Sequence, residues 1–390
     1  MDSGYVRTEG KAGHIGATLK DVAARAGVSI KTVSNVVNER PYVTDDTRER
    51  VRAALDALRY RPNLSARHLR TGRLGVLALA IPDLGNTYFA DIGKTVGAAA
   101  AAHGYTVLLD HTGGDRASES LAINGLRPHL IDGVLLSPLA LEMDDLRPDV
   151  VATPLVLLGE RLFGAPYDHV APDNVAAARV ATTHLIALGR RRIAAIGVQD
   201  TDVSAITAIV ARGGQDSTAR VIAAVRVHDT DASAMGQLRL RGYLNALQEA
   251  GRAVDPTLLA STAWFHRADG ARAMRRLLAL DDPPDAVFCF NDLLALGAMR
   301  ALHEAGRLIP ADVAVVGCDN IEEGLFATPS LTTIAPDKEE IGRVAVSMLV
   351  ARIEGGRLDA PARVETPFRL IVRESTAGFG SRESGVGSRE

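Results

Sequence analysis

A short polar segment that begins at Ser29 carries side chains suited to contacts with the edges of DNA bases. Lysine can donate hydrogen bonds to guanine, asparagine can pair with adenine, and isoleucine can contact a thymine methyl group in the major groove. The candidates for reading bases are Ile30, Lys31 and Asn35. Thr32 and Ser34 suit contacts with phosphate oxygens instead. The alternative interpretation is a small helical bundle with a solvated basic face.

A helix and a tight turn before this segment would position these side chains. Thr18 can cap a helix that runs from Leu19 to about Arg25, because its hydroxyl can accept a hydrogen bond from a free backbone N–H. Gly27 stands where a tight turn between helices requires a positive φ. Ser29 can then cap a second helix.

The second helix is predicted over residues 30–37, and a third helix is predicted after Thr44. Apolar residues recur at helical spacing in both helices, and they mark the faces that pack inward. These inward residues are Val33, Val36, Val37, Val51, Leu55 and Leu58. The three helices predict an all-α helix-turn-helix DNA-binding domain over residues 17–62, whose second helix enters the major groove.

Charge is distributed unevenly along the chain. Residues 17–74 contain twelve Lys or Arg and six Asp or Glu, which gives a net charge of +6, whereas the whole chain carries −3. Residues 1–16 are balanced, so the remainder of the chain carries −9. A basic segment followed by an acidic body indicates a polyanionic partner for the basic segment.

Length and composition restrict the class of protein. The chain has 390 residues, of which 47% are hydrophobic, so it can form two or three domains. It has no apolar run of about 18 residues, and its polar N-terminus lacks the apolar core of a secretory signal. The two cysteines, Cys289 and Cys318, form no CxxC pair. We therefore expect a cytoplasmic protein without a metal or another cofactor.

Two stretches of the N-terminal part resemble the lactose-repressor family of bacterial transcription regulators. They read TLKDVAARAGVSIKTVSNVVN and RYRPNLSARHLRTGR. In that family the second stretch contains a hinge helix that forms when two protomers sit on an operator, and a leucine separates a central base step in the minor groove. The matching residue is Leu69. The resemblance implies further DNA contacts at Thr18, Ser29, Asn38, Tyr60, Asn63, Ala66, Arg67 and Arg70.

From Leu74 onward, short apolar segments alternate with helical patterns. They read LGVLALAI, YTVLLD, DGVLLS, PLVLLG, RIAAIG, DAVFCF and DVAVVG. This alternation predicts an α/β fold of parallel sheets with helices on both faces, in which ligands bind at the carboxyl ends of the strands. The family resemblance extends over this body. It implies a two-lobed, periplasmic-binding-protein-like α/β effector domain over residues 74–376.

The resemblance also implies three crossings of the chain between the two lobes, near Asp173, Arg307 and Ala335. The first lobe would then comprise residues 74–173 and 308–335, and the second lobe residues 174–307 and 336–376. Residues 63–73 are expected to form the hinge helix and linker. Residues 1–16 and 377–390 are predicted to be disordered tails.

Several polar and aromatic side chains of the body match effector-binding positions of the family. Arg239 matches an arginine that clamps effector hydroxyls or a carboxylate, and Asp292 matches a carboxylate that accepts hydrogen bonds from sugar hydroxyls or a ring N–H. The full set of candidates is Asp83, Asn86, Tyr88, Phe89, Glu160, Arg239, Phe265, Asn291 and Asp292. Phe89 and Phe265 also fit an ordinary core, Arg239 also fits a surface arginine, and Asp292 also fits a helix cap.

One segment departs from the family pattern. Residues 198–238 separate Gly197 from Arg239, where the family has a much shorter loop. The apolar runs of this segment indicate structure of its own, and a lid, an altered dimer face and a surface decoration all remain open.

These observations favour a homodimeric, operator-binding transcription regulator, more often a repressor than an activator in this family. Its small-molecule effector is expected to be a sugar, with a nucleoside or purine as the alternative. A dehydrogenase would require G-x-G-x-x-G after the first strand, and the chain has neither this motif nor a Walker A sequence. An enzyme is therefore disfavoured. An exported solute-binding protein is disfavoured as well, because it would lack the basic segment and would need a signal peptide.

Overall fold

The computed structural model divides the chain into two compact units, Met1–Leu74 and Gly75–Glu390. The residues that the structure describes are 17–37, 40–60, 73–124, 130–151, 153–162, 164–212, 220–221, 234–355, 360–378 and 384–387.

The first unit contains three helices, Leu19–Ala26 (α1), Ile30–Val37 (α2) and Asp45–Ala57 (α3). The Thr18 hydroxyl accepts a hydrogen bond from the backbone N–H of Asp21, and the Asp21 carboxylate accepts one from the backbone N–H of Thr18. This reciprocal pair satisfies two donors that a helix N-terminus otherwise leaves free. Gly27 follows α1 with φ at 65°. The three predicted helices and the tight turn are confirmed.

The three helices bury one small apolar core. Val22 of α1, Val33 of α2 and Val51 of α3 are each fully buried, and Val36 is nearly so. Leu55 and Leu58 pack against this core from the edge. Because the valines of α2 point inward, the polar residues between them are left on the outside.

The second unit contains two β-sheets. Its strands, in chain order, are Val76–Ile81 (β1), Thr106–His111 (β2), Gly133–Leu136 (β3), Leu155–Leu158 (β4), Asp168–Pro172 (β5), Ile193–Val198 (β6), Leu259–Ser261 (β7), Ala286–Cys289 (β8), Ala314–Cys318 (β9), Thr332–Pro336 (β10), Arg363–Thr366 (β11), Phe368–Val372 (β12) and Ser384–Gly387 (β13). All seven strands that the sequence predicted are present, and they are β1, β2, β3, β4, β6, β8 and β9.

The first sheet has the strand order β11-β5-β4-β3-β1-β2 and is parallel throughout. The second sheet has the order β13-β12-β10-β9-β8-β6-β7, in which only the β10–β12 and β12–β13 pairs are antiparallel. The helices that cover the two sheets are Thr87–Ala102 (α4), Arg116–Asn124 (α5), Asn174–Ala187 (α6), Asp200–Ala211 (α7), Ala234–Glu249 (α8), Arg267–Leu278 (α9), Asp292–Glu304 (α10), Glu322–Leu325 (α11), Lys338–Ile353 (α12) and Glu374–Ala377 (α13).

Both faces of the inner strands of the first sheet are buried, as is usual for a parallel sheet. Leu77 and Leu79 of β1 lie in a cluster with Ile341 and Leu349 of α12, whereas the intervening Ala78 belongs to a cluster on the opposite face. The apolar face of α12 thus covers the first sheet. The second sheet has its own, larger core.

The pairing of the strands corrects the predicted lobes. Strand β9 lies between β8 and β10, so residues 308–335 belong to the second lobe and not to the first. Helix α12 and strand β11 belong to the first lobe and not to the second. The crossings predicted near Asp173 and Ala335 agree with this pairing, because the chain crosses after Pro172 and at Asp337. The predicted crossing at Arg307 is wrong, and the third crossing lies at Pro367. Sequence could not resolve this, because buried parallel strands of either sheet have the same apolar pattern.

The predicted disorder of residues 377–390 is also wrong in one place. Residues 384–387 form β13, which pairs antiparallel with β12 at the edge of the second sheet. Strand β12 would otherwise present unpaired N–H and C=O groups, and such an edge can accept a short polar strand. The segment's glycine-rich, polar composition gave no indication of this pairing.

Helices α9 and α10 approach so closely that two glycines are required. A Cβ at Gly297 would overlap the backbone oxygen of Arg267, and a Cβ at Gly270 would overlap the backbone oxygen of Leu294. Both neighbours are backbone atoms, which cannot rotate away as a side chain can.

Replacing Gly297 by alanine should therefore lower the free energy of unfolding by about 1–3 kcal/mol, the usual cost of overpacking a core. Urea denaturation followed by circular dichroism measures this change. Gly97→Ala is the matched control, because Gly97 lies in α4 and no neighbouring atom comes within 4 Å of the position that its Cβ would occupy. That substitution should raise stability by about 0.5–1 kcal/mol. Equal effects of the two substitutions would contradict the close approach of the helices.

Candidate functional site

The outer side of α2 presents the predicted base-reading residues. Ile30 is 49% exposed although it is a large apolar residue, and Lys31 beside it is exposed as well. Asn35 and Ser34 lie one turn further along the helix and are half-buried. An apolar side chain held in solvent beside a lysine fits a surface that contacts the apolar and polar edges of bases.

Other predicted DNA contacts take part in local structure. The Ser29 hydroxyl accepts a hydrogen bond from the backbone N–H of Thr32 at 3.0 Å and lies 2.9 Å from the Thr32 hydroxyl, so these two residues define the start of α2. Thr18 caps α1, and Tyr60 packs against the helical core. The predicted contacts outside the described residues are Asn38, Asn63, Ala66, Arg67, Leu69 and Arg70.

A cavity of about 450 Å³ lies between the two lobes of the body. It is bounded by the carboxyl ends of parallel strands, as α/β folds lead one to expect. Ser137 follows β3 and Glu160 follows β4 on the side of the first lobe, while Asn291 follows β8 and Asp319 follows β9 on the side of the second.

A buried arginine joins the polar groups of this cavity. Arg239 is 6% exposed, and its Nε donates to Asn174 Oδ1 at 2.7 Å. Its guanidinium also donates to the backbone oxygen of Phe290 and forms an ion pair with Asp319, with Nη2 3.5 Å from Oδ1. The side-chain nitrogen of Asn174 in turn donates to Glu160. One charged network therefore extends from the first lobe to the second.

Burial affects the acid groups around this network. It raises the pKa of both Glu160 and Asp319 above the ordinary carboxyl value, although the nearby Arg239 guanidinium lowers both. Burial likewise raises the pKa of the Tyr88 hydroxyl, and the Asp319 charge adds to that increase. Tyr88 therefore remains a neutral hydroxyl that can donate as well as accept a hydrogen bond.

Aromatic rings form part of the cavity wall. Tyr88 and Phe89, in the first turn of α4, meet edge to face with ring centroids 5.3 Å apart. The Nζ atom of Lys338 lies 5.6 Å from the centroid of the Tyr88 ring. Phe265 contributes a third ring from the second lobe. The cavity thus combines apolar ring faces with charged hydrogen-bonding groups.

Most of the predicted effector-binding residues line this cavity. They are Asp83, Asn86, Tyr88, Phe89, Glu160, Arg239, Phe265 and Asn291. Two of them also cap helices: Asn86 Oδ1 accepts from the backbone N–H of Tyr88, and Asn291 Oδ1 accepts from that of Leu294. The sequence analysis missed Asn174 and Asp319, although both stand just after a strand that faces the cavity.

The predicted effector contact of Asp292 is wrong. Asp292 is fully buried and does not line the cavity. Its Oδ1 accepts a hydrogen bond from the Thr333 hydroxyl at 2.6 Å, and its Oδ2 accepts one from the backbone N–H of Ile321 at 2.9 Å. Because the chain's own donors occupy both oxygens, Asp292 holds a turn in place, and Asp319 is the carboxylate that faces the cavity.

That turn has a strained backbone. Asp319 and Asn320 have φ values of 121° and 49°, which residues other than glycine rarely adopt. The backbone N–H of Asp319 donates to the backbone oxygen of Ile334 at 2.8 Å, and the Asn320 side-chain oxygen accepts from Arg373 at 2.8 Å. Strain of this kind persists only where surrounding contacts fix it, and it is typical of functional sites.

A second buried carboxylate supports the first-lobe wall. Glu119 of α5 is fully buried, and its oxygens accept hydrogen bonds from three consecutive backbone N–H groups, those of Leu139, Ala140 and Leu141, at 2.7–3.0 Å. Leu139 lines the cavity. Glu119 therefore fixes this part of the wall without touching a ligand.

Among the described residues, no group of three or more His, Cys, Asp or Glu side chains could hold a metal ion. No helix in the described ranges is long and apolar enough to cross a membrane.

A helix-turn-helix unit together with a two-lobed body and an interlobe cavity defines a class of ligand-responsive DNA-binding proteins. Residues 18–63 match the lacI family of bacterial regulatory proteins. Residues 74–222 match the periplasmic binding proteins and sugar binding domain of the LacI family, and residues 215–376 match the periplasmic binding protein-like domain.

Individual proteins show the same similarity over nearly the whole length of the chain. The ribose operon repressor of Halalkalibacterium halodurans is 31% identical over 94% of this chain and 99% of that protein. The transcriptional regulator CelR in complex with cellobiose is 33% identical, with a TM-score of 0.63, over 92% of this chain and 99% of that one. The lac repressor dimer bound to operator and the anti-inducer ONPF is 26% identical, with a TM-score of 0.73, over 93% of this chain and 99% of that one.

The chain belongs to the lacI family of bacterial regulatory proteins. It is a DNA-binding transcription regulator with an effector-binding body, and the predicted family, fold class and class of function are confirmed.

The stability of the body should depend on pH through Asp292. Burial raises the pKa of Asp292 to about 7, and the nearby Asp319 charge adds to the increase. The folded state therefore favours the neutral carboxyl, so the stabilising contribution is complete below about pH 4 and is lost as the pH rises to about 7.

Asp292→Asn cannot ionise, so the stability of the wild type relative to this variant should fall by about 1–3 kcal/mol between pH 5 and pH 7.5. Urea denaturation at several pH values measures the difference. Exposed Asp144→Asn serves as the control and should show no such trend. A wild-type advantage that is constant or grows with pH would contradict the buried, neutral carboxyl.

Proposed function

We propose that the protein is a homodimeric repressor that acts on a near-palindromic operator in the cytoplasm. Its operator affinity changes when a sugar binds the cavity between the lobes. The observation that carries the effector part of this proposal is the network of Arg239, Asn174, Glu160 and Asp319 beside the aromatic wall.

The sugar class is favoured by the chemistry of the cavity. A charged guanidinium such as that of Arg239 forms strong hydrogen bonds with hydroxyl groups, the Asp319 carboxyl group offers further hydrogen-bonding oxygens, and aromatic rings pack against the C–H faces of a sugar ring. The complex of CelR with cellobiose offers a sugar-bound relative at 33% identity. A nucleoside or purine would use the same rings as stacking partners, and it remains the alternative that a ligand panel must test.

Exposed apolar residues support a dimer. Strand β2 is an edge of the first sheet, and its Leu108 and Leu109 are 43% and 46% exposed. In the second lobe, Leu308, Leu325 and Phe326 are also exposed. Apolar side chains of this kind at a sheet edge favour association with another chain. The lac repressor relative was solved as a dimer on its operator.

Effector binding would act through the arrangement of the two lobes. Polar contacts besides the Asn174–Glu160 hydrogen bond already join them. The Thr87 hydroxyl donates to Glu323 at 2.6 Å. Lys338 Nζ donates to Asp91 of its own lobe at 2.7 Å and to the backbone oxygen of Asn320 in the second lobe at 3.0 Å. A ligand shifts such an equilibrium only by binding the closed and open arrangements with different affinities.

If α2 reads bases, substitutions on its outer side should reduce the discrimination between bases at single positions of the operator. Lys31→Ala or Asn35→Ala should cost about 1–3 kcal/mol of discrimination at one base position per half-site. Fluorescence anisotropy with the operator and with single-base variants measures this loss. Arg50→Ala, on the exposed side of α3 beside Asp46, is the control and should leave the base preference unchanged. A loss that is uniform across all sequences would assign Lys31 and Asn35 to phosphate contacts.

If Asp319 binds the effector, its substitution should affect the response to effector but not the affinity for the operator. Asp319→Ala should leave operator affinity within about twofold but abolish its change with effector, because the ion pair with Arg239 is lost from the cavity. Anisotropy titrations with a panel of sugars and nucleosides, at two salt concentrations, measure both properties. Asp144→Ala, an exposed carboxylate away from the cavity, is the matched control.

The outcomes of these titrations separate the parts of the proposal. A retained response in Asp319→Ala would mean that the effector binds elsewhere. If the operator affinity of the wild type changes with nucleosides but with none of the sugars, the effector is a nucleoside and not a sugar. Weak binding that is indifferent to DNA sequence in the wild type would overturn the operator-binding role.

A further inference from the structure

We infer that the effector is at least a disaccharide: one sugar ring lies at the Arg239 network, and the next stacks on Trp264 at the mouth of the cavity. This inference rests on the proposed function, because it specifies the ligand of the same cavity. The residues that support this inference are Trp264, His266 and Asp83. They lie outside the Arg239 network, so they are observations independent of it.

The Trp264 side chain lies at the mouth of the cavity and is not part of a hydrophobic core. It lines the cavity, yet 63% of its surface is exposed. The next aromatic along the chain, Phe265, is half-buried and packs against the core of the second lobe. A large aromatic ring that stays in solvent beside a cavity is available to stack against a ligand.

A second ring extends this surface. The His266 imidazole lies parallel to the Trp264 indole, with ring centroids 6.3 Å apart and planes inclined by 11°. Both rings line the cavity, and both are exposed. Parallel flat faces of this kind suit the C–H face of a pyranose ring.

The opposite side of the mouth supplies a hydrogen-bonding group. His266 Nε2 lies 3.6 Å from Asp83 Oδ2, which belongs to the first lobe. The other Asp83 oxygen, Oδ1, accepts from the backbone N–H of Gly85 at 2.7 Å and so fixes the carboxylate. A ring on Trp264 would thus meet a carboxylate that can accept from its equatorial hydroxyls.

The two subsites lie at different depths. Arg239 and Asp319 are 6% and 7% exposed, whereas Trp264 is 63% exposed. A single sugar ring bound by Arg239 and Asp319 would not reach the exposed indole of Trp264. The cavity volume of about 450 Å³ lies within the range of pockets that enclose ligands of more than one ring.

Trp264 is the single tryptophan of the chain, so the protein carries one intrinsic indole fluorophore, at the proposed outer subsite. The probes are cellobiose, lactose, maltose and trehalose, with glucose and galactose as their constituent rings. The full-length protein is titrated with each sugar by calorimetry and by tryptophan emission. A disaccharide that changes operator affinity should also change the emission. Its constituent monosaccharide should bind at least about 3-fold more weakly, because it lacks the stacking contact, and should leave the emission unchanged.

Variants test whether stacking is the cause. Trp264→Ala should weaken binding of that disaccharide by about 3- to 10-fold, the contribution of one aromatic stacking contact, and should leave monosaccharide affinity within about twofold. Trp264→Phe keeps a flat ring and should restore most of the loss. Leu188→Ala, an exposed apolar residue after α6 that does not line the cavity, is the control.

The outcomes distinguish this inference from the proposed function. If a monosaccharide binds as tightly as every disaccharide, or if Trp264→Ala weakens both equally, the outer subsite is overturned while the sugar-responsive regulator stands. If no saccharide binds or changes operator affinity, the sugar effector of the proposed function is overturned, and the outer subsite with it.

Discussion

The guanidinium of Arg239 is the group on which the interlobe cavity depends. A buried positive charge requires compensation, and here Asn174, Asp319 and the backbone oxygen of Phe290 provide it. Through Asn174 the network reaches Glu160 on the first lobe. The ends of strands β4, β8 and β9 are thereby held around one charge. The position of the cavity follows from the parallel strands whose carboxyl ends meet there, and the polar network at its base is organised around this one side chain.

Two further carboxylates keep the walls in place without facing a ligand. Asp292 fixes the strained turn that carries Asp319, and Glu119 fixes the backbone around Leu139. Both are fully buried, so each must have its oxygens satisfied by the chain itself. Buried acids of this fold therefore include some that face the cavity, such as Asp319, and others that position its walls, such as Asp292 and Glu119.

The helix-turn-helix could be predicted because its signals are local: the Thr18 and Asp21 capping pair, the αL glycine at position 27 and the valine spacing of α2 all act within a few residues. The strands of the body could be predicted from their apolar runs. The assignment of β9 to a sheet could not, because strand order is set by contacts between segments distant in sequence. For the same reason Asp292 was mistaken for a ligand of the effector and Asp319 was missed: only the fold determines which of two acids at the cavity edge turns toward the cavity.

The contacts that join the lobes bear on how strongly an effector can act. Thr87 meets Glu323, and Lys338 bridges Asp91 and Asn320, through side chains and backbone of the chain alone. These polar contacts stabilise the arrangement in which the lobes face each other. An effector that binds between them can add only the difference between its affinities for the closed and open arrangements. A ligand that lies between Arg239 and Glu160 deep in the cavity, and between Trp264 and Asp83 at the mouth, would contact both lobes at both ends of the cleft. Its affinity would thus depend on the distance between the lobes more steeply than that of a ligand held at one end, which gives a larger ligand the stronger control over operator binding.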